Sequence, residues 1–211
     1  NNYPSVGITD TNVLIGFPAF NILAKKNNIK PVFGMDVTIE NNLFTLIIKS
    51  EEGYKNLCYL SSLLSSREIS LGELKSFISG LLVIINTSSP LFENIDEEFK
   101  NKLADLAKGI NPDDFYIGLE FYENDSIPHY ELIRNFAYQY NYKIVANPVI
   151  RYLNKDDAIV LDILSAISSQ TKIERSYKPN KSLYYFKEDA ELKKFYTDAE
   201  INETEKIASS I

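Results

Sequence analysis

The sequence predicts an α/β fold in which mostly parallel strands alternate with helices. Short apolar runs recur along the chain, amphipathic stretches of roughly ten to fifteen residues separate most of them, and no repeat, low-complexity segment or linker interrupts the series. Helical crossovers between parallel strands are almost always right-handed, so the alternation implies a largely parallel sheet, either open or closed into a barrel. Pattern alone does not choose between those two forms. The unbroken series makes residues 1–211 a single domain.

Each element has its own signal. Residues 6–9 read as a buried strand, followed by a helix over 17–28 in which Phe17, Phe20, Ile22, Leu23 and Ala24 share helical spacing. Residues 32–39 and 43–49 form two strands of a hairpin, with Asn41-Asn42 suited to the positive φ its turn needs. A helix over 51–65, an apolar strand over 81–86, a helix over 95–108 and a strand over 115–121 follow. Residues 131–142 return as helix, 143–146 as strand and 156–168 as helix; a short last strand at 183–186 and charged helices near 189–195 and 199–210 close the chain. The polar patch 175–182, with Pro179 and Asn180, reads as a loop.

Composition narrows the function. A chain of 24.1 kDa hides roughly 70% of its unfolded surface, enough for a core without disulfides or structural metal. The one cysteine, Cys58, lies at a helical apolar spacing and reads as a buried structural thiol. No apolar run approaches the roughly 20 residues that cross a bilayer, so a soluble cytoplasmic protein is expected, with no membrane partner. Lys and Arg number 22 against 29 Asp and Glu, for a net charge of −7, which disfavours a domain that holds nucleic acid unaided. Two local basic clusters, Lys25, Lys26 and Lys30, and Lys172, Arg175, Lys178 and Lys181 beside Tyr177 and Tyr184, could serve single-strand binding but read as solvated faces.

Several strings in fixed order carry a family resemblance. They are Ile8-Thr9-Asp10-Thr11-Asn12, Ile29-Lys30-Pro31-Val32-Phe33-Gly34-Met35-Asp36, Glu52-Gly53-Tyr54-Lys55-Asn56-Leu57-Cys58, Gly80-Leu81-Leu82-Val83-Ile84, Phe115-Tyr116-Ile117-Gly118-Leu119-Glu120 and Val145-Ala146-Asn147 through Tyr152-Leu153. This series resembles the polymerase and histidinol phosphatase (PHP) domain at the N-terminus of the bacterial DNA polymerase III alpha subunit of DnaE type. The corresponding family strings include Ile-Thr-Asp-His-Gly-Asn, Phe-Tyr-Leu-Glu-Leu-Gln and Val-Ala-Thr-Asn-Asp-Val-His-Tyr-Leu. The resemblance implies a distorted (β/α) barrel whose first strand and helix would lie upstream of Asn1. An open edge left there would favour self-association.

Metal-bearing members of this family use His, Asp and Glu at strand ends to activate water against a phosphoester. Here the resemblance puts Thr11 in place of a His, Tyr122 about where another His falls, and Val149 and Arg151 in place of a late Asp-x-His pair. Asp10 and Asp36 persist as carboxylates and are the weak metal candidates; Asp10 is also suited to capping the turn after its strand or pairing with a base such as Arg151. The sole histidine, His129, matches no ligand position and reads as a helix-start surface residue. The expected function is a non-catalytic scaffold of a replicative polymerase, with no catalytic residue and no cofactor of its own, Mg²⁺ and DNA being handled elsewhere in the parent chain. Its expected partners are the rest of that alpha chain and a proofreading exonuclease or other replisome protein. The alternative is a metal-dependent phosphoesterase or 3′–5′ proofreading exonuclease with a reduced site on Asp10, Asp36 and Glu120; a histidinol-phosphatase-like enzyme would need the same ligands.

Overall fold

A computed structural model describes residues 3–121, 127–172 and 184–211. Its centre is one six-stranded sheet in sequential order: β1 (Ser5–Thr11), β2 (Lys30–Ile39), β3 (Asn42–Ile48), β4 (Leu81–Asn86), β5 (Phe115–Leu119) and β6 (Lys143–Ala146). Neighbours β1–β2, β4–β5 and β5–β6 are parallel, whereas β3 pairs antiparallel on both sides, so β3 alone runs against the rest. The sheet curls into a half-barrel, the distorted barrel architecture that the resemblance implies, with β1 and β6 at its edges.

The helices are α1 (Phe17–Lys26), α2 (Glu51–Leu64), α3 (Leu71–Leu74), α4 (Glu97–Ala107), α5 (Ile127–Tyr140), α6 (Ala158–Ser169), α7 (Asp189–Leu192) and α8 (Asp198–Ser210). Their starts are chemically marked. Ser50 accepts from Gly53 N at the head of α2, Asp96 accepts from Phe99 N at the head of α4, and Thr197 and Glu200 form a reciprocal capping box on α8. Glu97 and Glu98 in the first turn of α4 complement its dipole. Gly53 is required where α2 meets the sheet, since a β-carbon there would fall 1.9 Å from Gly80 O.

Strand alternation divides the core into two layers. Met35, Val37, Leu46, Ile85 and Ile117 face α2, α4 and α5, meeting Leu57, Leu60, Leu103 and Ile133, all fully buried. The opposite face carries a smaller cluster of Val32, Ile47, Leu82, Ile84, Tyr116 and Val145, closed by Ile207 of α8. The bidentate pair of Arg134 on α5 with Glu200 on α8 (2.6 and 2.9 Å) ties α8 to the body, and Arg134 also donates to Phe195 O at 3.0 Å.

Several boundaries differ from the sequence expectation. The hairpin turn is Glu40-Asn41, both at positive φ (49° and 65°), because Ile39 pairs with Asn42 and closes a two-residue turn one position earlier. Helix α1 stops at Lys26, and Asn28 takes the left-handed conformation just beyond it. The last strand reduces to a single bridge between Tyr152 and Tyr185, with residue 183 outside the described residues. α7 is a single turn, and α3 is a one-turn helix that periodicity did not reveal. Among the described residues no helix is long and apolar enough to cross a membrane.

Candidate functional site

The C-terminal ends of the parallel strands converge at one mouth, where α/β barrels place their chemistry. Asp36 lies near the end of β2, beside Thr45 of β3; Asn86 ends β4, and Asn147 follows β6. The side chains of Asp36, Thr45 and Asn86 share the face opposite α2, α4 and α5, because their strand neighbours Met35, Leu46 and Ile85 fill the helix-backed core.

A single directed chain of hydrogen bonds crosses this mouth. Asn147 Nδ2 donates to Asn86 Oδ1 (3.0 Å), Asn86 Nδ2 donates to Thr45 Oγ1 (3.0 Å), and Thr45 Oγ1 donates to Asp36 Oδ1 (2.6 Å). Each donor points one step closer to the carboxylate, so the chain terminates on the one group that carries charge. The bond from Asn147 to Asn86 has to pass over β5, and Gly118 makes that possible. A β-carbon at Gly118 would sit 3.0 Å from Asn86 Oδ1, 3.1 Å from Asn147 Nδ2 and 2.7 Å from Ile84 Cγ2. In the family string Phe-Tyr-Leu-Glu-Leu-Gln a glutamate occupies this place; here its space is taken by two amides bonded to each other.

Burial pushes the Asp36 carboxyl above the usual aspartate range. The Thr45 hydrogen bond, the Arg151 guanidinium and a hydrogen bond with Thr9 oppose that rise, and the Asp10 charge adds to it. Glu120, just past β5, is 2% exposed; its Oε2 accepts from Ser88 N at 3.4 Å and its own N–H donates to Thr87 Oγ1 at 3.0 Å. The residue reads as a brace between the β4 and β5 loops.

The two surviving carboxylates do not share a face. Asp10 pairs in register with Met35, whereas Asp36 pairs with Thr11. Asp10 is exposed and lies against Gly16, the residue that opens α1, where a β-carbon would fall 2.9 Å from Asp10 Oδ2. Arg151, a candidate partner for Asp10, lies near enough to act on the Asp36 carboxyl. Thr11 is exposed at the end of β1, and Val149 is half-buried in the segment after β6. Tyr122 lies outside the described residues. Among the described residues no three His, Cys, Asp or Glu side chains come together in a way that could hold a metal ion.

The remaining candidates fall elsewhere. His129 is half-buried in the first turn of α5, its ring 6.2 Å from that of Tyr130. Cys58 is half-buried on α2 rather than fully buried. Lys25 and Lys26 are exposed in the last turn of α1, while Lys30 Nζ donates to Ala208 O (2.7 Å) and Ile211 O, which ties the end of α8 to β2. Lys172 and Tyr184 are described; Arg175, Tyr177, Lys178 and Lys181 are not.

Thr45, Asn86, Gly118 and Asn147 were not singled out by sequence reasoning. The only signal for any of them was the replacement of a family carboxylate by Gly118. The rest required knowing which strands are neighbours.

Comparison with known proteins points to one family. A family model described as "PHP domain" matches residues 1–121. The DNA polymerase III subunit alpha of Staphylococcus aureus (strain Mu50) is 30% identical over 181 residues, covering 82% of this chain and 15% of the relative. The protein of the same name from Staphylococcus epidermidis (strain ATCC 35984) is 27% identical over 179 residues, covering 82% and 14%. That from Staphylococcus aureus (strain COL) is 35% identical over 106 residues, covering 47% and 10%. The chain thus spans about 15% of the length of the curated relatives it matches.

Proposed function

This chain belongs to the PHP domain family, and on that premise we propose that it is a non-hydrolytic structural module of a DNA polymerase III alpha subunit acting in DNA replication. The observation that carries the proposal is the hydrogen-bonded chain Asn147–Asn86–Thr45–Asp36 across the strand-end mouth. A hydrolytic metal cluster needs several anionic oxygens and imidazoles to neutralise and orient its ions. The donor set here is unsuited to such a cluster, being one carboxylate, one hydroxyl and two amides, already satisfied by each other. Arg151 supplies a positive charge beside the carboxylate, which further disfavours a cation.

In this reading the mouth is held by side-chain cross-links between strands. Asp36 bonds to Thr45 of the next strand, Thr45 to Asn86 of β4, and Asn86 to Asn147 beyond β6, so four segments are fixed relative to one another. A rigid barrel of this kind supports a larger body. Polymerisation, its Mg²⁺ and its DNA then belong to the remainder of the parent chain, in the cytoplasm, while this domain offers a surface to that remainder and to a proofreading exonuclease or other replisome protein. The whole-protein activity is inferred from relatives of which this chain covers about 15%.

A second reading is a metal-dependent phosphoesterase or 3′–5′ exonuclease. It draws on the raised pKa of Asp36 and on the buried carboxylate of Glu120, since perturbed acids cluster at functional sites. The register that separates Asp10 from Asp36 weighs against it. Both readings are tested by incubating the 211-residue chain with a phosphodiester and with single-stranded DNA in Mg²⁺, Mn²⁺ or Zn²⁺. The proposal expects no release above buffer. Metal-dependent release that is lost in Asp36→Ala would establish the second reading.

A further inference from the structure

Helix α6 (Ala158–Ser169) presents an unusual surface. Ile159, Val160, Ile163, Leu164 and Ile167 lie along one face at i, i+1, i+4, i+5 and i+8, and are 42% to 69% exposed. None of the five is polar. Ala158 is the one buried residue of the helix, Leu161, Asp162 and Ala166 are half-buried, and among the described residues its main neighbour is its own leading turn, Lys155–Asp157. Leu153, 71% exposed, and Ile150, 43% exposed, extend the apolar surface beyond the helix start.

An isolated helix of about 12 residues is marginal in water, and a helix is ordinarily held by burying its apolar stripe. Surface this apolar and contiguous marks an interaction site. We infer that the outward face of α6 is the surface on which the body of a polymerase-length chain docks, in cis, through an apolar face of its own. The inference rests on the reading of this chain as a module of such a polypeptide.

Two arguments select a tethered occupant over a second copy. The helix is about 18 Å long and about 10 Å across, a footprint well short of the roughly 800 Å² per partner that stable free association uses. Covalent linkage removes that requirement by raising the effective concentration of the partner, and the relatives continue far beyond the segment this chain matches, which is 15% of their length. A second copy, in contrast, would bring together two chains of net charge −7, a repulsion that opposes association. The partner face is therefore apolar and uncharged at its centre, matching the five side chains of α6.

The test compares oxidative footprinting of the α6 side chains in the 211-residue chain and in the polymerase-length polypeptide that contains it, with nucleotide incorporation measured on the latter. Docking predicts that labelling of residues 159–167 falls at least about five-fold in the longer polypeptide, a change that matches burial of an exposed apolar face. The double variant Ile163→Glu with Leu164→Glu should restore labelling there while leaving the unfolding midpoint of the 211-residue chain unchanged. Equal labelling in both, with incorporation intact, overturns the docking inference and leaves the module reading standing. A longer polypeptide that incorporates no nucleotide overturns the module reading and the inference with it. Protection already present in the 211-residue chain also overturns it; if that protection grows with concentration, the occupant is a second copy.

Discussion

The strand-end mouth and helix α6 invert the usual inside-out rule in opposite senses. The mouth gathers Asp36, Thr45, Asn86 and Asn147 where a sheet would otherwise close on apolar side chains, and each of them finds a partner within the chain. α6 turns Ile159, Ile163, Leu164 and Ile167 to solvent and finds none among the described residues. A buried polar group costs little once bonded, so the first region is complete as it stands. Exposed apolar surface stays unfavourable until something covers it, so the second is open among the described residues. The contrast sets a region completed by bonds within the chain against one left open for the docking proposed above.

Disrupting the mouth should have the largest effect. Gly118→Ala drives a methyl group between Asn86 and Asn147 and onto Ile84 Cγ2, and a loss of about 3 kcal/mol is expected in urea unfolding. Thr45→Val keeps the volume but removes both the donor to Asp36 and the acceptor for Asn86; the expected loss is about 2 kcal/mol, as for a hydrogen bond to a charged group.

Asp36→Asn acts in the other direction. Because the folded chain holds the Asp36 proton to a higher pH than the unfolded chain, whose ordinary value is 3.8, this residue contributes stability at low pH that is lost as pH rises through the folded value. The variant retains an oxygen to accept from Thr45 and has no charge to bury. It should be more stable than the parent at neutral pH and should lose that part of the pH dependence, as read from unfolding midpoints between about pH 4 and pH 7.

The smallest effect belongs to α6. Leu164→Ala removes a side chain that is 59% exposed and should shift the stability of the 211-residue chain by no more than about 0.5 kcal/mol. A loss several times larger would mean that the helix is already covered within this chain, and the contrast with the mouth would disappear.

The apolar runs that became β2 to β6 were legible because each is short, bounded by turn residues and repeated at crossover spacing. Local signals failed where a neighbour decided the outcome. The hairpin turn moved to Glu40-Asn41 because cross-strand register set its position, although Asn41-Asn42 has the better turn chemistry. α6 was readable as a helix, but its apolar residues carry no sign of whether they meet the core of this chain or of another. The mouth was read through its substituted motif positions, Thr11, Val149 and Arg151. Its working parts lie elsewhere: Asn86 and Asn147 are 61 residues apart and Thr45 and Asn86 are 41 apart, separations at which no sequence period operates.

The central claim is that side chains, not metal ions, hold this mouth together. Elemental analysis of the 211-residue chain purified without chelator, then dialysed against zinc and manganese, tests it most directly. The account predicts no stoichiometric metal and an unfolding midpoint that EDTA leaves unchanged. Two or more tightly held ions per chain, lost together with stability on chelation, would contradict it.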